Sequence, residues 1–140
     1  MIPTRKAIPV AALAILLGTI GTAYAGSTSS SPAAKTVKVT LSEFSVKLST
    51  TAIPSGRVNF IVKNVGITTH EFEVARDPGK PFSFKAHLKA NVSESMGEVE
   101  DVDPGKTKRL TLNLPAGKYV GICNLPGHYK LGMSTRFRIG

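Results

Sequence analysis

The segment TVKVTLSEFSVKL (36–48) alternates apolar and polar residues, the two-residue period of strands with one face buried. RVNFIVKN (57–64) follows a PSG turn, and EFEVA (71–75) is a shorter alternating run. KTKRLTLNL (106–114) comes after DPG, and KYVGIC (118–123) after PAG. STRFRIG (134–140) closes the chain with Phe137 and Ile139 on one face. Between 77 and 98 the period breaks down, and FSFKAHLKANVSES predicts a short helix or a long loop over the strands. There is no long amphipathic helix and no internal repeat. Seven or eight short strands separated by Gly/Pro turns predict an all-β chain folded as a Greek-key β-sandwich.

The N-terminus has a different pattern. Arg5 and Lys6 precede an apolar run from 7 to 20, and AYA (23–25) fits the small-x-small cleavage rule. Residues 1–25 therefore read as a secretory signal. A membrane anchor is the rival reading, but the run is short for a span and is interrupted by Pro9 and Gly18. GSTSSSPAAK (26–35) reads as a flexible lead-in and 36–140 as the single folded domain. The expectation is an exported, periplasmic or extracellular monomer with no stable membrane insertion after cleavage. Position 26 is glycine, not cysteine, which argues against a lipid-modified N-terminus.

The formal charge is +9, and loss of Arg5 and Lys6 with the leader would lower it by two, to +7. The basic residues are scattered and the chain has no Trp to act as a stacking platform, so nucleic acid is not an expected partner. The charge is better suited to solubility and to steering toward an acidic partner.

The chain has one cysteine, three histidines and three methionines, and CNLPGHYKLGM (123–133) holds one of each. A single cysteine in an oxidising compartment cannot close an internal disulfide, so it is buried, paired between chains or held by a metal. A thiolate, an imidazole and a thioether converging on one point suit a soft, redox-active ion, and copper matches best. Two His and one Cys in a plane with a weak axial Met require a second histidine. His70 follows KNVGITT at the start of a strand and is held better than His87, which stands among Lys85 and Lys89. The candidate ligands are therefore His70, Cys123, His128 and Met133. Pro126-Gly127 would turn His128 back toward Cys123, and a second turn at Gly132 would bring Met133 close before the final strand. Met96, near the GEV turn, is expected to pack, as is Tyr119. Gly121 is expected to leave room beside the thiolate, and Asn64 to tie the loop before His70 to the ligand loop.

From about Lys35 to the C-terminus the sequence resembles the cupredoxins, the type 1 blue copper proteins, most strongly in NVGITTHEF and PAGKYVGICNLPGHYKLGM. The Cys-x4-His-x4-Met spacing is similar to that of rusticyanin, sulfocyanin and auracyanin, with small exported plastocyanin-like proteins as the nearest relatives. The resemblance implies one type 1 copper ion, with His70, Cys123 and His128 as equatorial ligands and Met133 as axial ligand. It also implies that the loop histidine, His128, meets redox partners at the surface, amid Leu125, Pro126, Tyr129 and Leu131. Two positions depart from the family. Glu71 stands where Asn or Ser often follows the first His, and Asn124 where Ser or Thr often follows the Cys. Asn124 is expected to supply hydrogen bonding near the sulfur, and Glu71 either to lower the potential or to turn into water.

Counting excludes several enzymes. Multicopper oxidases and copper nitrite reductases need more histidines, a binuclear copper-A site needs two cysteines, and no residue is placed to orient the histidine of a Cys–His hydrolase. Zinc would accept Cys and two His but gains nothing from Met. Two readings remain: a soluble one-electron carrier cycling Cu(I) and Cu(II), with redox proteins bearing acidic docking surfaces as partners, or a protein of copper buffering, delivery or resistance. The mixed donor set and the absence of a Met-rich tract favour the carrier.

Overall fold

The computed structural model describes residues 33–140; the expected leader and most of the lead-in lie outside the described residues. The described chain forms nine strands: β1 (Lys35–Ser42), β2 (Ser45–Leu48), β3 (Ala52–Ile53), β4 (Gly56–Asn64), β5 (His70–Arg76), β6 (Ser95–Val102), β7 (Thr107–Leu114), β8 (Gly117–Ile122) and β9 (Ser134–Ile139). They build two sheets, ordered β2-β1-β4-β7 and β3-β9-β8-β5-β6. β1 runs parallel to β4 and β3 parallel to β9, and the other pairings are antiparallel. The expected all-β sandwich is present, with nine strands where the pattern predicts seven or eight.

Alternation accounts for the core. In β1, Val37, Val39 and Leu41 are fully buried while Lys38 faces out, and in β4 Val58, Phe60 and Val62 do the same. Phe60 crosses the sandwich to Phe72 of β5 and Phe137 of β9, with ring centroids 5.5 and 5.9 Å apart. Burying each of these side chains contributes about 1.5–3 kcal/mol. Tyr119 is fully buried, stacked on Phe137 with Arg76 over its ring, and donates its hydroxyl to the Pro115 carbonyl. Met96 packs against the same core as expected.

The segment 36–48 is not one continuous strand. It folds as a tight hairpin, Ser42 opposite Ser45, with Glu43 and Phe44 at its tip. EFEVA departs from the pattern in another way, because β5 is buried on both faces. Residues 77–94 lie over its outer face, where Phe82 and Ala90 pack on Ala75, Val120 and Ile122 as a second, smaller core. Of the two expectations for this segment, a short helix or a long loop, the structure shows the loop, with one 3-10 turn at Ala86–Leu88. Among the described residues no helix is long and apolar enough to cross a membrane.

Candidate metal centre

Three strands deliver the site. β5 begins at His70. β8 runs beside it and ends one residue before Cys123, and β9 leaves one residue after Met133. The loop between them is drawn tight by its own backbone. Cys123 N–H donates to the Met133 carbonyl (3.1 Å), and Met133 N–H donates to the His128 carbonyl (3.2 Å). Gly127 and Gly132 turn this loop at φ 83° and 97°, a region glycine enters without steric cost. His128 and Met133 are thereby returned to Cys123 as the spacing predicts.

His70, Cys123 and His128 present one nitrogen, one sulfur and one nitrogen within 4.8 Å of one another. Nδ1 of His128 lies 3.4 Å from Cys123 Sγ, Nδ1 of His70 lies 3.9 Å from it, and the two Nδ1 atoms are 3.3 Å apart. Donors held about 2.0–2.3 Å from one ion at trigonal angles stand about 3.5–4 Å apart, so the triangle fits a single cation. Met133 is fully buried, and its backbone is bonded to both Cys123 and His128. His87 is exposed in the 3-10 turn and takes no part.

Burial favours the uncharged forms of Cys123 and His128. Burial pushes the Cys123 thiol up, opposed by N–H groups of Glu71 and Leu125; the Glu71 N–H donates to Sγ at 3.4 Å. Burial, and then the neighbouring His70, push His128 down. Ligation requires the thiolate, so a cation bound here would displace the thiol proton. Of the four candidates only His128 reaches solvent, edge-on to the half-exposed Phe44 ring at 5.1 Å.

Several supporting roles differ from the expectation. Asn124 does not serve the sulfur: its amide accepts from Ala90 N–H (2.7 Å) and donates to Glu73 (3.1 Å), fastening the ligand loop to the 77–94 segment. Glu71 does not turn into water. It is buried beneath that segment, where desolvation pushes its carboxyl up against the pull of Lys89. Gly121 makes room for Phe72, since a Cβ there would lie 2.6 Å from the ring. Asn64 binds Gly66 N–H and the Thr68 carbonyl before His70, but its second anchor is the Val102 carbonyl at the end of β6, not the ligand loop. Leu125 packs into the main core and Tyr129 against Phe82 and Phe84, so neither belongs to an exposed apolar rim. Pro126 and Leu131 are exposed.

Sequence reasoning passed over Glu43. Its Oε1 lies 3.2 Å from His70 Nε2 and accepts Ile67 N–H, Thr68 N–H and the Thr68 hydroxyl at 2.8–2.9 Å. The Thr68 N–H leads in holding this carboxyl down at about 2. The signal was a change of phase: the apolar positions are 37, 39 and 41, then 44, 46 and 48. That break marks a turn whose polar residue is free for another task.

A family model described as a Cupredoxin-like domain matches residues 10–133. This chain belongs to the cupredoxin family. The cupredoxin is 33% identical over 105 residues, 71% of its length, to the copper-resistant cuproprotein CopI of Vibrio cholerae serotype O1, and the match spans 62% of CopI. Among solved structures it resembles dithionite-reduced auracyanin from Roseiflexus castenholzii, with a TM-score of 0.58, 19% identity, and coverage of 77% of this chain and 98% of that one. It also resembles rusticyanin from Thiobacillus ferrooxidans, with a TM-score of 0.61, 19% identity, and coverage of 77% and 79%. At such identities the likeness is one of fold. The cofactor of this family is one copper ion, and the two imidazoles, thiol and neighbouring thioether gathered here are the donor set that suits it.

Proposed function

We propose that this cupredoxin is an exported one-electron carrier, working in the periplasm, with His70, Cys123 and His128 as principal ligands and Met133 as a weak fourth. The observation that carries the reading is the buried His70–Cys123–His128 triangle, open to solvent only at His128. Copper bound there supplies a Cu(I)/Cu(II) couple. The protein's part is to hold the donors still, to exclude water and to offer one path to the surface. Backbone bonds between Cys123 and Met133 and between Met133 and His128 fix the loop, and β5 fixes His70.

Phe44 rests on His128; Ile67 is tied to Glu43 beside it, and the Leu88 carbonyl accepts the Gly127 N–H. The apolar docking surface we assign to the histidine consists of Phe44 together with Ile67, Leu88 and Leu131, exposed side chains on the segments that border it. Carriers dock through small interfaces that release quickly, and the net positive charge favours partners with acidic surfaces.

A second reading, copper handling, is favoured by the name of the 33%-identical relative, a copper-resistant cuproprotein. Repeated reduction and reoxidation of the copper-loaded protein in the presence of a Cu(I) chelator separates the two. A carrier keeps its copper through many cycles. Loss of copper to the chelator within seconds of the first reduction would favour handling.

A further inference from the structure

We propose that Glu43 is a positioning residue for the copper site: its carboxylate sets the tautomer of His70, aims Nδ1 at the thiolate and biases bound copper toward Cu(II). The inference builds on the copper site and is indifferent to whether the ion carries electrons or is stored.

His70 is fully buried, and its two ring nitrogens face different groups. Nδ1 faces Cys123 Sγ and His128 Nδ1, whereas Nε2 faces Glu43 Oε1. An ionised carboxylate only accepts hydrogen bonds, so in the neutral ring, the form that can ligate, Nε2 carries the proton and Nδ1 keeps the lone pair. The wrong tautomer would turn an N–H into the metal position and leave Nε2 and Oε1 as two opposed acceptors.

The carboxylate is itself fixed. Ile67 N–H, Thr68 N–H and the Thr68 hydroxyl hold Oε1, and they belong to the loop that leads into His70. Gly66 lies against the same carboxylate, and a Cβ at this position would collide with it. The hairpin tip, the loop and the ligand thus form one unit, and Asn64 ties the loop's other side to β6. A negative charge behind a metal-bound imidazole raises its basicity and favours the more highly charged ion. Phe44, the other residue of the hairpin tip, lies against His128, so one two-residue turn touches both histidines.

Two measurements on the full chain test this. The first needs no copper: long-range 1H–15N spectra of the labelled apo-protein should show His70 protonated at Nε2 and unprotonated at Nδ1. The reverse tautomer in the wild type would overturn the proposal. The second compares copper-loaded wild type, Glu43→Gln and Glu94→Gln. Gln keeps an oxygen that can accept the Ile67 and Thr68 bonds but removes the charge. Glu94→Gln removes the same charge from beside Arg76, about 20 Å along β5 by strand rise. Glu43→Gln should shift the couple toward Cu(I) about tenfold, or about 59 mV for one electron, and weaken Cu(II) binding about 10–100-fold. Glu94→Gln should stay within about twofold of wild type on both counts. Glu43→Gln indistinguishable from wild type, or shifted no more than Glu94→Gln, would reduce Glu43 to a loop anchor. Failure of the wild type to bind copper would overturn the copper site while leaving the tautomer result intact.

Discussion

Replacing the thioether of Met133 by leucine changes its volume little, so the fold should lose less than about 1.5 kcal/mol. What changes is the donor. If Met133 is the weak fourth ligand, Met133→Leu keeps copper and colour and raises the potential, whereas Met133→Gln, with a harder oxygen, lowers it. Voltammetry of the two variants beside wild type checks this, and loss of copper from Met133→Leu would make Met133 a principal ligand instead. The Cys, His and Met of 123–133 were legible because three chemically distinctive residues fall within eleven positions. Glu43 was not, because a glutamate between alternating residues reads as a solvent-facing position of a strand until the hairpin turns it toward His70.

At the level of elements, β5, β8 and the 77–94 segment form a layered support for the site. Gly121 lets Phe72 lie against β8, so Gly121→Ala should cost about 1–3 kcal/mol by overpacking, read as a lower Tm of the apo-protein. Asn124→Ala removes the buried amide between Ala90 and Glu73 and should cost about 1–3 kcal/mol, with the visible band kept because the sulfur is served by Glu71 N–H instead. A bleached Asn124→Ala protein would mean that Asn124 acts on the sulfur after all. β1, β4, β7 and β9 could be read from their alternation. β6 could not: it is an edge strand with Gly97 at φ 144°, Asp101 at φ 50° and irregular pairing to β5, while Glu98 and Glu100 remove the apolar period. Burial of both faces of β5 was hidden for a related reason, since Glu71 and Glu73 are covered by a segment with no period of its own.

For the whole molecule, net positive charge and the apolar surface proposed at His128 predict how it meets small redox reagents. Oxidation by ferricyanide, an anion, should slow by about tenfold as ionic strength rises and the Debye length falls from about 30 Å at 0.01 M to about 8 Å at 0.15 M. Hexaammineruthenium, a cation, should respond with the opposite sign. Leu131→Glu places a negative charge on the exposed rim and should slow the ferricyanide reaction several-fold without altering spectrum or potential. Stopped-flow rates measure all three. Equal salt responses for the two reagents would place the exchange surface away from the positive field.

The central claim, a copper ion held by the Cys123 thiolate and cycling one electron, is tested most directly by spectroelectrochemistry of the copper-loaded full chain beside Cys123→Ser. The account predicts an intense visible band in the oxidised wild type. It should bleach with one electron per copper and return fully on reoxidation, and it should be absent from a folded Cys123→Ser protein. A band that survives Cys123→Ser, or a wild type without one, would contradict it.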